Sequence, residues 1–247
     1  MSAYDALARF YDLLTDDVEY ERRGEYIHSL LKEYGAEGGI MLDLSCGTGT
    51  LTEFFWKKGY DMIGVDKSPE MLMKARQKFF FSGCDALLLC QDMRELDLYG
   101  TVDCAICTLD SINHLPTIED VSLAFSRVSL FMNKGGVFVF DVNTEYKHRE
   151  ILGDNTFVME EDDVFVVWQN FYEESDKSTD IRLDIFTKNG ELYERSTEDF
   201  TEWAYSTAQL KAALENNGFE VKAVYDDLTR KPERADSERL YFAAVKI

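Results

Sequence analysis

The chain has 247 residues, 45% of them hydrophobic and 30% charged, which supplies one sizeable core and excludes a disordered chain. Its formal net charge of −21, with no Lys/Arg cluster, opposes a polyanionic partner such as tRNA, rRNA or DNA and suits a small molecule, a cationic amine among them. No apolar run reaches the ~20 residues of a membrane span, and the N-terminus has neither a basic n-region nor an apolar h-region, so the expected location is the cytoplasm.

Tyr4, Leu7, Phe10, Tyr11 and Leu14 recur at helical spacing over residues 4–14. A second helix is predicted over 20–34, with Tyr26, Ile27, Leu30 and Leu31 as its apolar face and Gly35 as its stop. Strands and helices then alternate. A strand over 40–45 leads into a helix over 50–58 closed by Gly59, and a second strand covers 61–66. Ser68 caps the next helix and Pro69 takes its first position. Further strands are predicted over 86–91 and 102–109. Thr117 caps a helix over 118–132 that buries Val121, Ala124, Phe125, Val128 and Met132, with Gly135 beyond its end, and a fifth strand covers 137–142.

Helical periodicity then disappears between 155 and 205. Residues 164–172, 181–187 and 192–205 read as strands, with Asn189-Gly190 as a two-residue hairpin turn. Ser206-Thr207-Ala208-Gln209 is a capping box that opens a helix running to Asn217-Gly218, and 219–225 and 239–247 are the last strands. The chain therefore divides into an α/β core, 1–150 with 206–247, headed by a helical cap over 1–35, and an inserted antiparallel sheet over 151–205. The insert reads as a substrate lid or a dimer face. Trp168, Tyr172, Tyr193, Trp203 and Tyr205 are its lid aromatics, and the strand over 164–172 is apolar on both faces, which allows a homodimer.

Five scattered cysteines, Cys46, Cys84, Cys90, Cys104 and Cys107, read as reduced thiols. Cys104 and Cys107 lie three apart in a strand, where side chains face opposite ways, so C-x-x-C is not a redox pair here. The three histidines, His28, His114 and His148, are far apart and show no zinc spacing.

The most informative stretch is Leu42-Asp43-Leu44-Ser45-Cys46-Gly47-Thr48-Gly49, between the first strand and its helix. Glycines at a strand-to-helix turn let the backbone bend sharply and approach a ligand closely, and the helix points its N–H groups at the same place. Asp66 ends the second strand nineteen residues beyond Gly47, where its carboxylate can accept from both hydroxyls of a ribose. Thr52 stands where a dinucleotide fingerprint needs its third glycine, which disfavours NAD, and no lysine follows Gly49 as a P-loop requires.

The run Asp43-x-Ser45-x-Gly47-x-Gly49 resembles the first motif of class I S-adenosylmethionine (SAM)-dependent methyltransferases, with Ser45 in place of the family's usual first glycine. The resemblance continues, in order and spacing, through Gly64-Val65-Asp66-Lys67-Ser68, Cys90-Gln91-Asp92-Met93, Leu109-Asp110-Ser111-Ile112-Asn113-His114-Leu115 and Val137-Phe138-Val139-Phe140-Asp141. It implies an α/β fold: a Rossmann-like, seven-stranded, mostly parallel sheet with helices on both faces and an antiparallel last strand, here carrying the inserted antiparallel sheet. It also implies SAM as cofactor. The SAM carboxylate is expected at Ser45, Gly47 and Gly49, its ammonium at nearby carbonyls or Asp43, and its ribose at Asp66. The adenine is expected against Met71, with Asp92 at the N6 amino group and the Met93 N–H at ring N1, and Cys46, Thr48, Lys67, Gln91 and Leu109 complete the expected cofactor-binding set. In small-molecule members the N-terminal segment folds over the cofactor, which gives Tyr11 a place at its methionine end and in the catalytic set.

Methyl transfer from a sulfonium is an in-line displacement, so alignment dominates and a base matters only when the acceptor must lose a proton. Asp110 and His114 follow the fourth strand, at the end of the sheet where ligands bind. The expected catalytic set is thus His114 as base near neutral pH, Asp110 to orient an acceptor amine, and Tyr11. The setting resembles the sugar N,N-dimethyltransferases, where a histidine follows strand four and an antiparallel insertion follows strand five. Asp110, Asp141 and Asn143 raise a rival, the Mg²⁺ site of catechol-type O-methyltransferases, whose acid and asparagine are adjacent where Val142 intervenes here. The favoured reading has no metal. It competes with a non-catalytic SAM sensor or assembly protein and with an aminopropyltransferase-like use of the fold. A nucleic-acid or protein methyltransferase is disfavoured because no Asn-Pro-Pro-Tyr-type motif follows strand four.

Overall fold

The computed structural model describes residues 18–161 and 163–247. Tyr11 and the expected helix over 4–14 lie outside the described residues.

The first described helix, α1 (Tyr20–Glu33), buries Ile27, Leu30 and Leu31 as the spacing predicts. The alternating part follows as β1 (Ile40–Leu44), α2 (Thr50–Lys57), β2 (Asp61–Asp66), α3 (Pro69–Ser82), β3 (Leu87–Cys90), β4 (Val102–Cys107), α4 (Ile118–Phe131) and β5 (Met132–Asn143). Caps fix the helix starts. The Ser68 side chain accepts from Met71 N and the Thr117 side chain from Asp120 N, each meeting a first-turn donor that the helix leaves unbonded. Four strands form the insert: β6 (Thr156–Glu161), β7 (Val164–Glu173), β8 (Ser178–Asn189) and β9 (Leu192–Trp203). The chain then closes with α5 (Thr207–Asn216), whose Ser206–Gln209 capping box is complete, and with β10 (Phe219–Asp226) and β11 (Arg239–Lys246).

The large sheet has the order β10-β11-β5-β4-β1-β2-β3, and the insert is a separate sheet, β6-β7-β8-β9. β1 pairs in parallel with both β2 and β4, so the strand order reverses across β1. β11 runs antiparallel to β5 and β10, as the resemblance implies. Loops leaving β1 and β4 diverge at their C-terminal ends and open a crevice there, which is where doubly wound sheets hold ligands. Phe125, Phe138, Phe140, Phe219 and Phe242 fill one face of the sheet and Ile27, Leu31, Phe55 and Tyr241 the other, all of them fully or almost fully buried. Each such side chain contributes about 1.5–3 kcal/mol relative to exposure. Cys107 belongs to the first cluster and Cys104 to the second, so the two thiols do face opposite ways.

Several details differ from the expectation. β4 ends at Cys107 because Leu109 and Asp110 both take left-handed backbone, φ 54° and 55°. β5 begins at Met132, ahead of the expected 137, so Gly135 at φ 84° lies within the strand. The β8–β9 loop is Gly190-Glu191, one residue later than expected, since Asn189 pairs with Leu192. Finally, β6 and a π-helical turn over Lys147–Leu152 leave no mark in the periodicity. Among the described residues no helix is long and apolar enough to cross a membrane.

Candidate active site

The turn after β1 holds Ser45, Gly47 and Gly49 at φ 62°, 55° and 76°. Ser45 adopts the left-handed conformation that glycine takes without penalty, at a cost of about 1–2 kcal/mol, so the departure from the usual glycine changes the energy and keeps the geometry. A Cβ on Gly49 would stand 2.6 Å from the Phe79 ring, whereas one on Gly47 would meet open space. Gly49 therefore serves the packing of the turn on α3, and Gly47 leaves room in front of it. Asp66 fastens the turn: its Oδ2 accepts from Gly47 N at 2.9 Å and its Oδ1 from Ser68 N at 2.8 Å. A carboxylate offers about four lone-pair sites, so two remain.

A cleft runs along both sides of this turn. One arm is lined by Asp66, Lys67, Met71, Gln91, Asp92 and Met93, and continues past Arg94 to His114, Leu115 and Pro116. The other is lined by Tyr20, Asp43, Cys46, Thr48, Thr50 and Thr108. Ser45, Gly47, Leu109 and Ser111 line both, so the arms meet at the turn. The structure thus brings together nearly all the residues expected from the sequence. Of the others, Gly49 stands behind the turn, Asp110 is directed to Arg239 and Tyr11 is outside the described residues.

Two of these side chains are tied to neighbours in the chain itself. Asp43 is buried, accepts from Thr52 Oγ1 at 2.6 Å, and has its pKa pushed up to about 7 by burial, as befits a carboxyl with no cation beside it. Asp92, expected beside the adenine N6 amino group, is gripped by Arg94, whose backbone N and Nε donate to Oδ1 and whose Nη2 donates to Oδ2. Arg94 also bonds Asp120 at 3.1 Å, and the Asp92 carboxyl is held below its usual range by its bonds to Arg94.

Beyond Leu109 lies a cluster of buried charged groups. Arg239, on β11, donates through Nη2 to Asp110 Oδ1 at 2.6 Å and through Nη1 to Asp141 Oδ2. Asp141 also accepts from Leu109 N at 2.8 Å and Asp110 N at 3.3 Å, which holds the left-handed pair in place. Lys147, from the π-helical turn, donates to Asn143 Oδ1 at 3.0 Å. The structure corrects the Mg²⁺ reading of Asp110, Asp141 and Asn143: a guanidinium stands between the two acids, and an ammonium occupies the asparagine oxygen. Asp110, His114 and Glu202 do each bring one ligand atom to within 4.8 Å of the other two. Arg239 already neutralises Asp110, so a divalent ion held by this set would have to compete with a guanidinium.

His114 lies on the cleft wall with its side chain 20% exposed, and burial pushes its pKa down to about 4, so its imidazole is neutral near pH 7 and a weak proton acceptor on its own. Facing it is Glu202, which lies in none of the sequence motifs. Glu202 Oε1 lies 3.9 Å from His114 Nε2, Oε2 lies 3.8 Å from His148 Nε2, and Oε2 accepts from Asn143 Nδ2 at 3.3 Å. Burial pushes the Glu202 carboxyl up to about 8. One signal does mark it: an acid between Thr201 and Trp203, at the last residues of a strand that returns the insert to the core. The lid aromatics, in contrast, do not line the cleft. Trp203 packs on the main core, Tyr205 donates to Leu115 O, Trp168 donates to Asn170, Tyr172 lies outside the cleft lining and Tyr193 is exposed on the insert.

The family model described as a methyltransferase domain matches residues 41–136. A putative methyltransferase of Bacillus subtilis (strain 168), YqeM, is 34% identical over 98% of this chain and 97% of its own length. The crystal structure of an S-adenosylmethionine-dependent methyltransferase from Clostridium acetobutylicum superposes with a TM-score of 0.89 at 33% identity, covering 98% of both chains. A dTDP-3-amino-3,4,6-trideoxy-α-D-glucopyranose N,N-dimethyltransferase of Streptomyces venezuelae is 31% identical over 54% of this chain and 56% of its own.

Proposed function

The chain belongs to the class I S-adenosylmethionine-dependent methyltransferases, and from that premise we propose that it methylates a small-molecule amine, held over His114 at the end of the two-armed cleft. The observation that carries this reading is the continuity of the cleft, with an acid in each arm and His114 on the wall beyond. The residues present fit the cofactor. Gly47 leaves open space where a side chain would block the turn, and Asp66 keeps two lone-pair sites for a ribose diol. Asp43 is a buried carboxyl lacking a cation, which the ammonium of a methionine tail would supply. Asp92 with Arg94 closes the adenine end.

When bound, SAM supplies a methyl carbon already activated by its sulfonium. The protein has then to align an acceptor lone pair with that carbon and to exclude water. The walls around Ser111, His114 and Leu115 serve both ends. An amine acceptor agrees with the acidic chain and with the sugar N,N-dimethyltransferase among its relatives. Calorimetric titration with SAM and S-adenosylhomocysteine, with NAD as control, tests the cofactor; transfer of labelled methyl from SAM to a panel of amines and phenols tests the acceptor. Saturable binding of both sulfur compounds and transfer to amines is expected. Binding of NAD, or transfer to phenols alone, would overturn the reading.

A further inference from the structure

We propose that Glu202, carried into the site by the inserted sheet, is a positioning and proton-accepting partner of His114, and that the pair removes a proton from an acceptor that binds as an ammonium. The inference rests on the proposed amine methylation.

β9 brings Glu202 to within 3.9 Å of His114 Nε2, and β8 brings its cross-strand neighbour, Thr179, to His148. Thr179 Oγ1 lies 2.8 Å from His148 Nδ1, which fixes that ring and directs Nε2 at Glu202 Oε2 from 3.8 Å. His148 Nε2 has no hydrogen-bond partner among the described residues, although the ring is fully buried. A buried imidazole nitrogen is costly to leave unbonded, so its aim at a carboxyl points to a group whose protonation changes. The elements packed on Glu202 each contribute a polar group: Asp110 and His114 from the turn after β4, Asn143 from β5, Lys147 and His148 from the π-helical turn, and Arg239 from β11. Burial makes His114 too weak a base to keep a proton near neutrality and pushes the Glu202 carboxyl up to about 8.

The acceptor ammonium gives one proton to the His114 imidazole, and the Nε2 proton passes to the Glu202 carboxylate, which becomes neutral. The freed nitrogen pair forms the N–C bond as the C–S pair returns to sulfur, and the product leaves as an ammonium. The 3.9 Å separation is closed by one bridging water or by a shift of about 1 Å on binding.

The test uses ¹⁵N-histidine-labelled full-length protein, in which only three histidines report. In the wild type, the His114 and His148 ring shifts should show an inflection near pH 8 as Glu202 ionises, and His28 should not. Glu202→Gln should remove that inflection, and Glu202→Asp should keep it. In parallel, kcat/KM for the best amine of the panel should rise with pH to a plateau above about 8, and Glu202→Gln should lower the plateau about 10²-fold without changing S-adenosylhomocysteine affinity. An inflection that survives in Glu202→Gln, or an unchanged pH limb, overturns the inference while leaving the amine reading intact. Absence of cofactor binding in the wild type would instead overturn that earlier reading, and the histidine titration remains readable in either case.

Discussion

Arg239 and Asp141 form an ion pair with the carboxylate wholly out of solvent and the guanidinium almost so, and the same guanidinium holds Asp110. Removing one partner of a buried pair leaves an uncompensated charge, which costs about 3–5 kcal/mol. Arg239→Met leaves two carboxylates facing each other across the β4–β5 gap and should lower stability by about that amount in urea unfolding. Because Arg239 fills the place a cation would take, EDTA should leave methyl transfer by the wild type unchanged. A requirement for added Mg²⁺ would contradict the geometry.

Stability should depend on pH in a direction set by the buried site. The Asp43 and Glu202 carboxyls titrate at about 7 and about 8, above their ordinary range, so the native chain keeps protons that the unfolded chain gives up. Their contribution is full below the ordinary carboxylate pKa and is lost as pH rises through the folded values. His114 and His148, pushed down to about 4, act oppositely: their contribution is present above the ordinary 6.5 and lost as pH falls through 4. Between pH 6.5 and 8 the histidines are largely neutral in both states and the two acids govern. The apo protein should therefore lose on the order of 1–2 kcal/mol across that window, read as a falling Tm, and Glu202→Gln should flatten the fall.

The two turn glycines separate the cradle from the scaffold. Gly49→Ala places a Cβ 2.6 Å from the Phe79 ring at φ 76°, so it should cost about 1–3 kcal/mol of stability and weaken cofactor binding with it. Gly47→Ala meets open space at φ 55°, a left-handed conformation costing about 1–2 kcal/mol, and its methyl projects where the cleft arms meet. S-adenosylhomocysteine affinity should fall more for Gly47→Ala than its loss of Tm accounts for. Equal affinity for that variant and the wild type would remove the turn from the binding site.

The α/β core was legible because its elements carry local signals: β1 and β2 are apolar runs of strand length, Ser68 and Thr117 are caps, and Ser206 with Gln209 is a capping box. The place of Asp66 beside the glycine turn was legible for the same reason, since it ends β2 a short distance along the chain from Gly47. Glu202 was not, because its role depends on the hairpin register that places it across from Thr179, far along the chain from the turn at Gly47. The state of His114 was equally hidden: burial by segments remote in sequence lowers its pKa, which the residue type alone does not announce. Arg239 lies in an apolar strand near the C-terminus, where nothing nearby announces two acids at the ends of β4 and β5.

Asn113 joins the insert to the core. Its Nδ2 donates to Asn143 O at 3.0 Å and to Trp203 O at 2.9 Å, while its Oδ1 accepts from Asn143 N at 2.9 Å, and the side chain is fully buried. One side chain thus pins the turn after β4, the end of β5 and the end of β9, immediately beside Glu202 and one residue from His114. Asn113→Ala would leave three backbone groups unpaired, each costing about 1–3 kcal/mol before water enters. Unfolding should therefore shift to markedly lower urea, and hydrogen exchange should quicken at Asn143 and along the end of β9 ahead of β1 and β2. Asn113→Asp keeps the acceptor and loses the donors, so it should restore the bond from Asn143 N and leave the end of β9 fast. Uniform exchange across both sheets in the two variants would show that this asparagine does not hold the insert to the core.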